Sequence, residues 1–248
     1  MVDMIVPLPQ DAIHKAWLYR LLSAIYDDAN LASVLRFKGG TCAAMLGYLD
    51  RFSVDLDFDY VGDENNLVDF KEKLEKVFLD LGLSIHDQSQ VVPQYFLKYP
   101  ARENLRNTLK VDVSITVPRA NQYESQRFHE IDRIISCQTR ETVVANKLVA
   151  LTDRFEKNGS IAGRDLYDIH HFFLNGFRYH EAVIIERTNK TLKQFFTDTI
   201  NFIEKQITEE IINQDLNTLL KPAQFSQVRK MIKQETIMLL QDELGRVK

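Results

Sequence analysis

The segment SVDLDFDY, residues 53–60, alternates strictly between polar and apolar side chains, which is typical of a β-strand with one buried face. Its aspartates are Asp55, Asp57 and Asp59. Carboxylates two positions apart on a strand lie roughly 6.6 Å from each other, and at an effective dielectric constant of about 20 they repel by about 2.5 kcal/mol. Either the acidic face is therefore open to solvent at the edge of a sheet, or a positive partner binds it.

A second segment, TLKVDVSITV (108–117), alternates in the same way and places Asp112 between two valines. If the two strands are neighbours, Asp112 faces the same side as Asp55 and Asp57. Three convergent carboxylates make a hard oxygen site of the kind that Mg²⁺ or Mn²⁺ prefers. The two strands therefore predict a metal site formed by Asp55, Asp57 and Asp112.

A phosphate-binding turn is predicted before the acidic strand and is separated from it by a short buried helix. Gly39 and Gly40 follow a short strand-like run, and Thr41 is placed to cap a buried helix. Free backbone N–H groups at a helix N-terminus bind phosphate, and glycine permits a close approach because it has no Cβ. Arg51 and Ser53 precede the aspartates and could contact phosphate oxygens. Phosphate beside metal-binding carboxylates is the arrangement that metal-assisted nucleotidyl transfer requires.

The rest of the chain predicts an α+β fold followed by helices alone. In the first part, hydrophobic periodicity predicts helices over 11–29 and 64–82, a helix from Thr41, and strands over 33–38, 53–60, 94–99 and 108–117. Further helices are predicted over 141–156, 163–175, 179–188, 190–206, 208–219 and 222–243. We therefore expect two domains: residues 1–135 with a small mixed sheet flanked by helices, and an all-helical domain over 136–248.

Composition adds few constraints on function. The net charge of -4 argues weakly against a nucleic-acid partner, although a local basic surface remains compatible with it. Cys42 and Cys137 are far apart and lack metal-site spacing, so neither a disulfide framework nor a cysteine zinc site is expected. With neither a signal-peptide pattern nor a long apolar run, we expect a cytoplasmic protein without a membrane partner.

Competing motifs do not account for the pattern. The chain has neither a phosphate-binding P-loop motif nor the glycine motif of dinucleotide-binding folds. A calcium-binding EF-hand loop starting at Asp55 would need glycine where Tyr60 stands. His170 and His171 lie on an apolar helix outside any zinc-protease frame, and we interpret them as structural.

Three spaced motifs resemble the polymerase-β-type nucleotidyltransferase superfamily: KGGT (38–41), RFSVDLDF (51–58) and VDV (111–113). Two downstream segments, ETVVANKLVALTDR (141–154) and GRDLYDIHHF (163–172), are similar to the AbiEii/AbiGii toxin family. This family comprises nucleotidyltransferase toxins of bacterial abortive-infection and toxin–antitoxin systems. The resemblance extends from about residue 35 to 175.

The resemblance implies a role for each matching residue. Asp55 and Asp57 would bind the metal ions, and Asp112 would be a further metal ligand or the base near the acceptor hydroxyl. Lys147 would contact nucleotide phosphates, and Asp165 would support the active site. The remaining nucleotide-binding positions implied are Lys38, Gly39, Gly40, Thr41, Arg51, Ser53 and Arg164.

Several of these residues also admit a purely structural interpretation. Asp59 lies outside the family core and is either solvated or a supporting group. Lys147 could be a solvated helix lysine, and Arg164 with Asp168 an ordinary surface pair four residues apart. Asp165 could stabilise a helix start. Arg51 could pair with an aspartate.

The predicted function is a metal-dependent nucleotidyltransferase toxin that transfers a nucleoside monophosphate from an NTP and releases pyrophosphate. The resemblance implies Mg²⁺ or Mn²⁺, an RNA acceptor such as a tRNA 3′ end, or secondarily a protein hydroxyl, and a cognate antitoxin. Two alternatives stay open: an enzyme that modifies a small molecule such as an antibiotic, and a non-catalytic nucleotide-binding module. Candidates for an RNA-binding surface are Arg102, Arg106, Arg119, Arg127, Arg133 and Arg140.

Overall fold

The computed structural model describes residues 5–101 and 106–247, which form two compact units. Unit 1 comprises Met1–Val117 and Tyr123–Gln138, and unit 2 comprises Pro118–Gln122 and Thr139–Lys248. The predicted fold class, a mixed sheet flanked by helices and followed by helices alone, is confirmed. The predicted domain boundary between residues 135 and 136 stays a prediction, because contacts alone do not show that a unit folds independently.

Unit 1 is built on a seven-stranded mixed sheet. Its strands are β1 (Leu35–Lys38), β2 (Asp55–Tyr60), β3 (Ser84–Gln88), β4 (Gln94–Lys98), β5 (Thr108–Ser114), β6 (Tyr123–Phe128) and β7 (Arg133–Gln138). The spatial order is β3-β4-β5-β2-β1-β7-β6. The β2–β5 and β1–β7 pairs are parallel and the others antiparallel. β2 and β5 are thus neighbours, which is the condition under which Asp112 was expected to face the same side as Asp55 and Asp57.

Helices and a 3₁₀ turn accompany this sheet and contribute buried residues to the core of unit 1. They are α1 (Asp11–Asp27), α2 (Ala29–Val34), α3 (Gly39–Met45) and α4 (Leu67–Asp80), with a 3₁₀ turn over Glu64–Asn66. Burial follows the alternation in the sequence: Leu56 and Phe58 of β2 and Val111 of β5 are fully buried. Alternation thus orients one face of the acidic strand into the core and the aspartates to the opposite face.

The sequence prediction was wrong at several elements of unit 1. The predicted strand over 33–38 begins only at Leu35, because α2 precedes it. Asp28 caps that helix by accepting hydrogen bonds from the backbone N–H groups of Asn30 and Leu31 at 2.8 and 3.1 Å. β3, β6 and β7 were not predicted, and the predicted strand over 108–117 ends at Ser114.

Unit 2 has helices α5 (Arg140–Asn158), α6 (Gly163–Leu174), α7 (Glu181–Thr188), α8 (Leu192–Gln206), α9 (Glu209–Leu216), α10 (Pro222–Val228) and α11 (Ile232–Arg246). The predicted helices are confirmed with small shifts, except that 222–243 is two helices. Thr139 caps α5, and Thr191 forms a capping box with Gln194 at the start of α8. Helix α6 packs against α5, α9 and α11. Within the described residues, no helix is both long and apolar enough to cross a membrane.

Candidate active site

The polar face of β2 and β5 brings the predicted carboxylates together. In the parallel register Asp57 lies directly opposite Asp112, and Asp55 lies opposite Lys110. Neighbouring strands are about 4.8 Å apart, and side chains at aligned positions point to the same side. Asp55, Asp57 and Asp112 are therefore on one face of unit 1, and all three are partly accessible to solvent.

The Gly-Gly turn lies against the same carboxylates. Gly39 has φ +78°, and a Cβ built on it would lie only 2.2 Å from Oδ2 of Asp57. Only glycine permits this approach, since any side chain would displace the carboxylate. The turn at the end of β1 and the acidic strand are thus two parts of one site in unit 1.

Arg51 and Ser53 lie behind Gly40. A Cβ on Gly40 would meet Oγ of Ser53 at 2.8 Å and Nη2 of Arg51 at 3.1 Å. Both residues are buried, and Nη1 of Arg51 donates to the carbonyl of Phe52 at 2.9 Å. The two buried side chains therefore pack against the Gly40 side of the turn and support it.

Thr41 does not cap the helix as predicted. Helix α3 begins at Gly39, and the hydroxyl of Thr41 donates to the backbone carbonyl of Asp55 at 2.5 Å. This bond ties the turn to the first residue of the acidic strand. Because α3 has only seven residues, the predicted binding of phosphate here would depend more on close backbone approach than on a helix dipole.

Asp112 is held by two residues that the sequence analysis missed. Nζ of Lys110 and Nε2 of Gln94 both lie 2.7 Å from Oδ2 of Asp112. Lys110 could have been found from its position, since it is two residues before Asp112 and shares its strand face. Gln94 lies opposite Asp112 on β4, an antiparallel pairing that no local pattern reveals.

Asp59 is not solvated, which excludes one of the two interpretations given above. Its side chain is 1% exposed and accepts hydrogen bonds. The donors include Nζ of Lys38 at 2.5 Å, the hydroxyl of Tyr123 at 2.9 Å and Nε2 of Gln138 at 2.8 Å. Lys38, predicted to bind nucleotide, also donates to Oγ of Ser114 at 2.7 Å. Tyr123 and Gln138 lie on the unpredicted strands β6 and β7.

The carboxylates fit a hard divalent cation in donor type and in strand placement. Asp57 and Asp112 are direct neighbours, and Asp55 is on the same face of β2. Among the described residues, no three His, Cys, Asp or Glu side chains form a ready-made metal cage. The Lys110 ammonium lies 2.7 Å from Asp112 and neutralises one of the three carboxylates.

Cys42, beside the turn on α3, is not suited to thiolate chemistry. Its side chain is fully buried, and this burial raises the pKa of the Cys42 thiol well above its ordinary value. The neighbouring Cys137 thiol raises this pKa further.

A second group of predicted residues lies together in unit 2. Nζ of Lys147 on α5 is 2.8 Å from Oδ2 of Asp168 and 3.3 Å from Oδ1 of Asp165, both on α6. The two aspartates are almost fully buried, and Nη2 of Arg154 lies 3.5 Å from Asp165. Lys147 is therefore not a solvated helix lysine, and Asp168 is not part of a surface pair. The backbone N–H of Arg164 donates to Asp215 at 3.4 Å.

The arginines proposed for an RNA-binding surface are partly neutralised. Arg127 pairs with Asp132 at 2.6 Å, and Arg133 pairs with Asp27 at 2.7 Å. Arg140 pairs with Glu141 at 3.3 Å. Arg102 lies outside the described residues. Such pairs are typical of ordinary surface charge, which is a second interpretation of Arg127, Arg133 and Arg140.

Comparison with known proteins finds solved structures of the same fold. Solved structures with the same fold include a protein from H. pylori described as a candidate nucleotidyltransferase, with 20% identity, a TM-score of 0.58 and coverage of 97% of this chain and 99% of that one. JHP933 from Helicobacter pylori has 19% identity, a TM-score of 0.56 and coverage of 98% and 95%. MenT4, a nucleotidyltransferase toxin from Mycobacterium tuberculosis, has 17% identity, a TM-score of 0.54 and coverage of 96% and 94%.

At these identities the structural likeness defines the fold, and the family follows from the sequence. The family model described as nucleotidyl transferase AbiEii toxin, type IV toxin–antitoxin system, matches residues 20–238. A search of curated proteins finds no match. The protein is a nucleotidyltransferase. More particularly, the chain belongs to the AbiEii nucleotidyltransferase toxin family.

Proposed function

We propose that this toxin transfers a nucleoside monophosphate from an NTP to an RNA acceptor, with a tRNA 3′ end as the first candidate. The observation that carries the proposal is the approach of the Gly39 backbone to the carboxylate of Asp57, where a Cβ would lie 2.2 Å from Oδ2. A turn that close to a carboxylate allows one triphosphate to contact backbone N–H groups and a carboxylate-bound cation together.

In the proposed site, the turn formed by Gly39, Gly40 and Thr41 holds the triphosphate. Arg51 and Ser53 pack against Gly40 and keep the turn in place. Asp55, Asp57 and Asp112 would hold Mg²⁺ or Mn²⁺, which supplies Lewis-acid stabilisation of charge on the triphosphate. For unit 2, the family resemblance alone implies that Lys147 and Arg164 contact phosphate and that Asp165 supports the active site. Oδ1 of Asp165 lies 3.3 Å from the Lys147 ammonium.

The proposed reaction exchanges a phosphoanhydride bond of the NTP for a phosphoester bond to the acceptor. The acceptor hydroxyl oxygen bonds to the α-phosphorus, and the bond from this phosphorus to the bridging oxygen breaks. Pyrophosphate leaves with that electron pair, and a base takes the hydroxyl proton. Asp112 is our candidate for either base or metal ligand. Lys110 and Gln94 both bond its Oδ2 oxygen and so fix the orientation of the carboxylate.

The acceptor and partners are inferred from the family. RNA acceptors and NTPs are available in the cytoplasm, where we propose that the toxin acts under the control of a cognate antitoxin. A protein hydroxyl is the second candidate acceptor. A small-molecule acceptor and a catalytically inactive nucleotide-binding protein are the outcomes that the following experiment separates from RNA transfer.

The experiment uses each NTP labelled on either the α- or the γ-phosphate, with Mg²⁺ and total RNA. We expect α-label and not γ-label to enter RNA, because pyrophosphate leaves. Periodate oxidation of the RNA should block incorporation by destroying the 3′-terminal hydroxyls. The Asp57→Ala variant should lower the rate by at least about 10³-fold. Asp87→Asn, at an exposed position of β3, is the matched control and should leave the rate unchanged.

Other outcomes would contradict the proposal in distinct ways. Label on a small molecule would indicate an antibiotic-modifying type of enzyme, and label on protein would make a protein hydroxyl the acceptor. NTP binding without transfer to any acceptor would show that the protein is a binding module.

A further inference from the structure

Asp59 is the third aspartate of the acidic strand, and the proposed reaction gives it no task. It is nevertheless buried, and it accepts hydrogen bonds from Lys38, Tyr123 and Gln138. A buried carboxylate requires such compensation, because burial of an unpaired charge is very costly. What matters for function is which cation compensates it, namely the ammonium of Lys38 at 2.5 Å.

Lys38 lies directly opposite Asp57 across the antiparallel β1–β2 pair. Side chains at opposite positions have Cβ atoms about 4.5–5.5 Å apart, so Asp57 is the natural ion-pair partner of this lysine. The ammonium instead extends diagonally to Asp59 and also donates to Oγ of Ser114 at 2.7 Å. Ser114 lies opposite Asp59 on β5, so these two neighbouring side chains on the polar face of β2 and β5 together bind the Lys38 ammonium.

We propose that Asp59 is a positioning residue that holds the Lys38 ammonium away from the Asp57 carboxylate and thereby keeps Asp57 able to bind a divalent cation. This inference rests on the metal site of the proposed function. Without the Asp59 charge, the ammonium would turn to Asp57, the nearest carboxylate across the strand pair. A lysine bound there would compete with the metal ion for the same oxygens.

A purely structural role for Asp59 makes a different prediction. Loss of a buried ion pair would then lower stability and leave cation affinity unchanged in the protein that still folds. The proposed role requires instead that the effect on metal binding depend on the presence of Lys38. The two roles therefore separate in a double-mutant cycle that measures metal binding directly.

The test is titration of the protein with Mn²⁺ alone, with free Mn²⁺ followed by electron paramagnetic resonance. In Asp59→Asn we expect the Kd for Mn²⁺ to rise about tenfold, as a unit charge comes to compete at a partly exposed site. In the double variant Asp59→Asn with Lys38→Met, the Kd should return to the wild-type value or below it. Asp87→Asn removes an exposed charge from the same unit and should leave the Kd unchanged.

A folded Asp59→Asn protein with unchanged Mn²⁺ affinity would overturn the inference, as would a loss of affinity that Lys38→Met does not reverse. Should Asp59→Asn fail to fold, Ser114→Ala loosens the second contact of Lys38 without changing any charge. It should raise the Kd by about threefold, a smaller change because the charge pair remains. An unchanged Kd in that variant would also contradict the proposal.

The same titration of Asp57→Ala separates this inference from the proposed function. If Asp57→Ala binds Mn²⁺ as the wild type does, the metal site itself is wrong and both proposals fail. If Asp57→Ala loses Mn²⁺ and Asp59→Asn keeps it, only the role of Asp59 is wrong.

Discussion

Two glycines of unit 1 differ in what prevents a larger residue at their position: at one it is the backbone conformation alone, at the other also a neighbouring side chain. Gly39 and Gly82 both have positive φ, +78° and +73°. A Cβ on Gly39 would collide with Asp57, whereas a Cβ on Gly82 would have no atom within 4 Å. The two glycines therefore separate the cost of the backbone conformation from the cost of displacing the Asp57 carboxylate.

We expect Gly82→Ala to lower the free energy of unfolding by about 1 kcal/mol, the cost of a left-handed conformation in a residue with a side chain. Gly39→Ala should cost more, about 2–3 kcal/mol, and should also abolish Mn²⁺ and nucleotide binding because the Asp57 carboxylate has to move. Urea unfolding followed by the fluorescence of Trp17, the single tryptophan of the chain, measures the first quantity in unit 1. Equal effects of the two changes would contradict the steric argument.

Between elements, a buried group of charges in unit 2 joins α5 to α6. Lys147 contacts Asp168 and Asp165, and the side chains of these two aspartates are 0% and 1% exposed. Arg154 contacts Asp165 from a longer distance. Removal of one partner of a buried pair leaves an uncompensated charge, which is far more costly than loss of a surface pair.

Lys147→Met should therefore lower the stability of the α5–α6 pair by about 3 kcal/mol. Lys157 on the same helix is the matched control. Its side chain is 71% exposed in the pair with Asp153, so Lys157→Met should change stability by less than about 0.5 kcal/mol. Hydrogen exchange of α6 peptides, measured by mass spectrometry, reports the difference. Equal exchange in the two variants would show that Lys147 does not support α6, whereas added Asp168→Asn should recover part of the loss.

At the scale of the molecule, stability in mild acid should depend on one histidine of unit 1. His14 on α1 is buried, and its Nε2 donates to the carbonyl of Val54 at 2.9 Å, next to the acidic strand. Burial lowers the pKa of His14 from 6.5 to about 4. The folded protein therefore keeps this imidazole neutral at pH values where the unfolded chain protonates it.

The direction of the pH dependence follows from proton linkage. Between pH 6.5 and 4 the unfolded chain binds more protons at His14 than the folded protein does. The stability that the neutral His14 side chain contributes is therefore fully present above pH 6.5 and is lost as the pH falls to 4. The contribution is at most about 3 kcal/mol. His14→Gln should flatten this part of the stability–pH curve measured by Trp17 fluorescence, and His86→Gln, at an exposed position of β3, should not. A parallel curve for His14→Gln would contradict the assignment.

The sequence alone determined which side chains share a face, because a strand has a period of two and this periodicity is local. Residues 53–60 and 108–117 thus identified Asp55, Asp57 and Asp112, and the spacing of the motifs identified the family. The helices of unit 2 could also be predicted from the sequence, since their periodicity and caps are encoded within each segment.

Only the tertiary structure decided which residues of other strands contact the side chains on these faces. Asp59 looked like an equal member of the acidic row, and its buried contacts with Tyr123 and Gln138 come from two strands that no local pattern predicted. Gln94 reaches Asp112 through an antiparallel pairing, and Lys38 turns from Asp57 to Asp59. These contacts depend on strand order and register, which are set by packing across distant segments and not by periodicity.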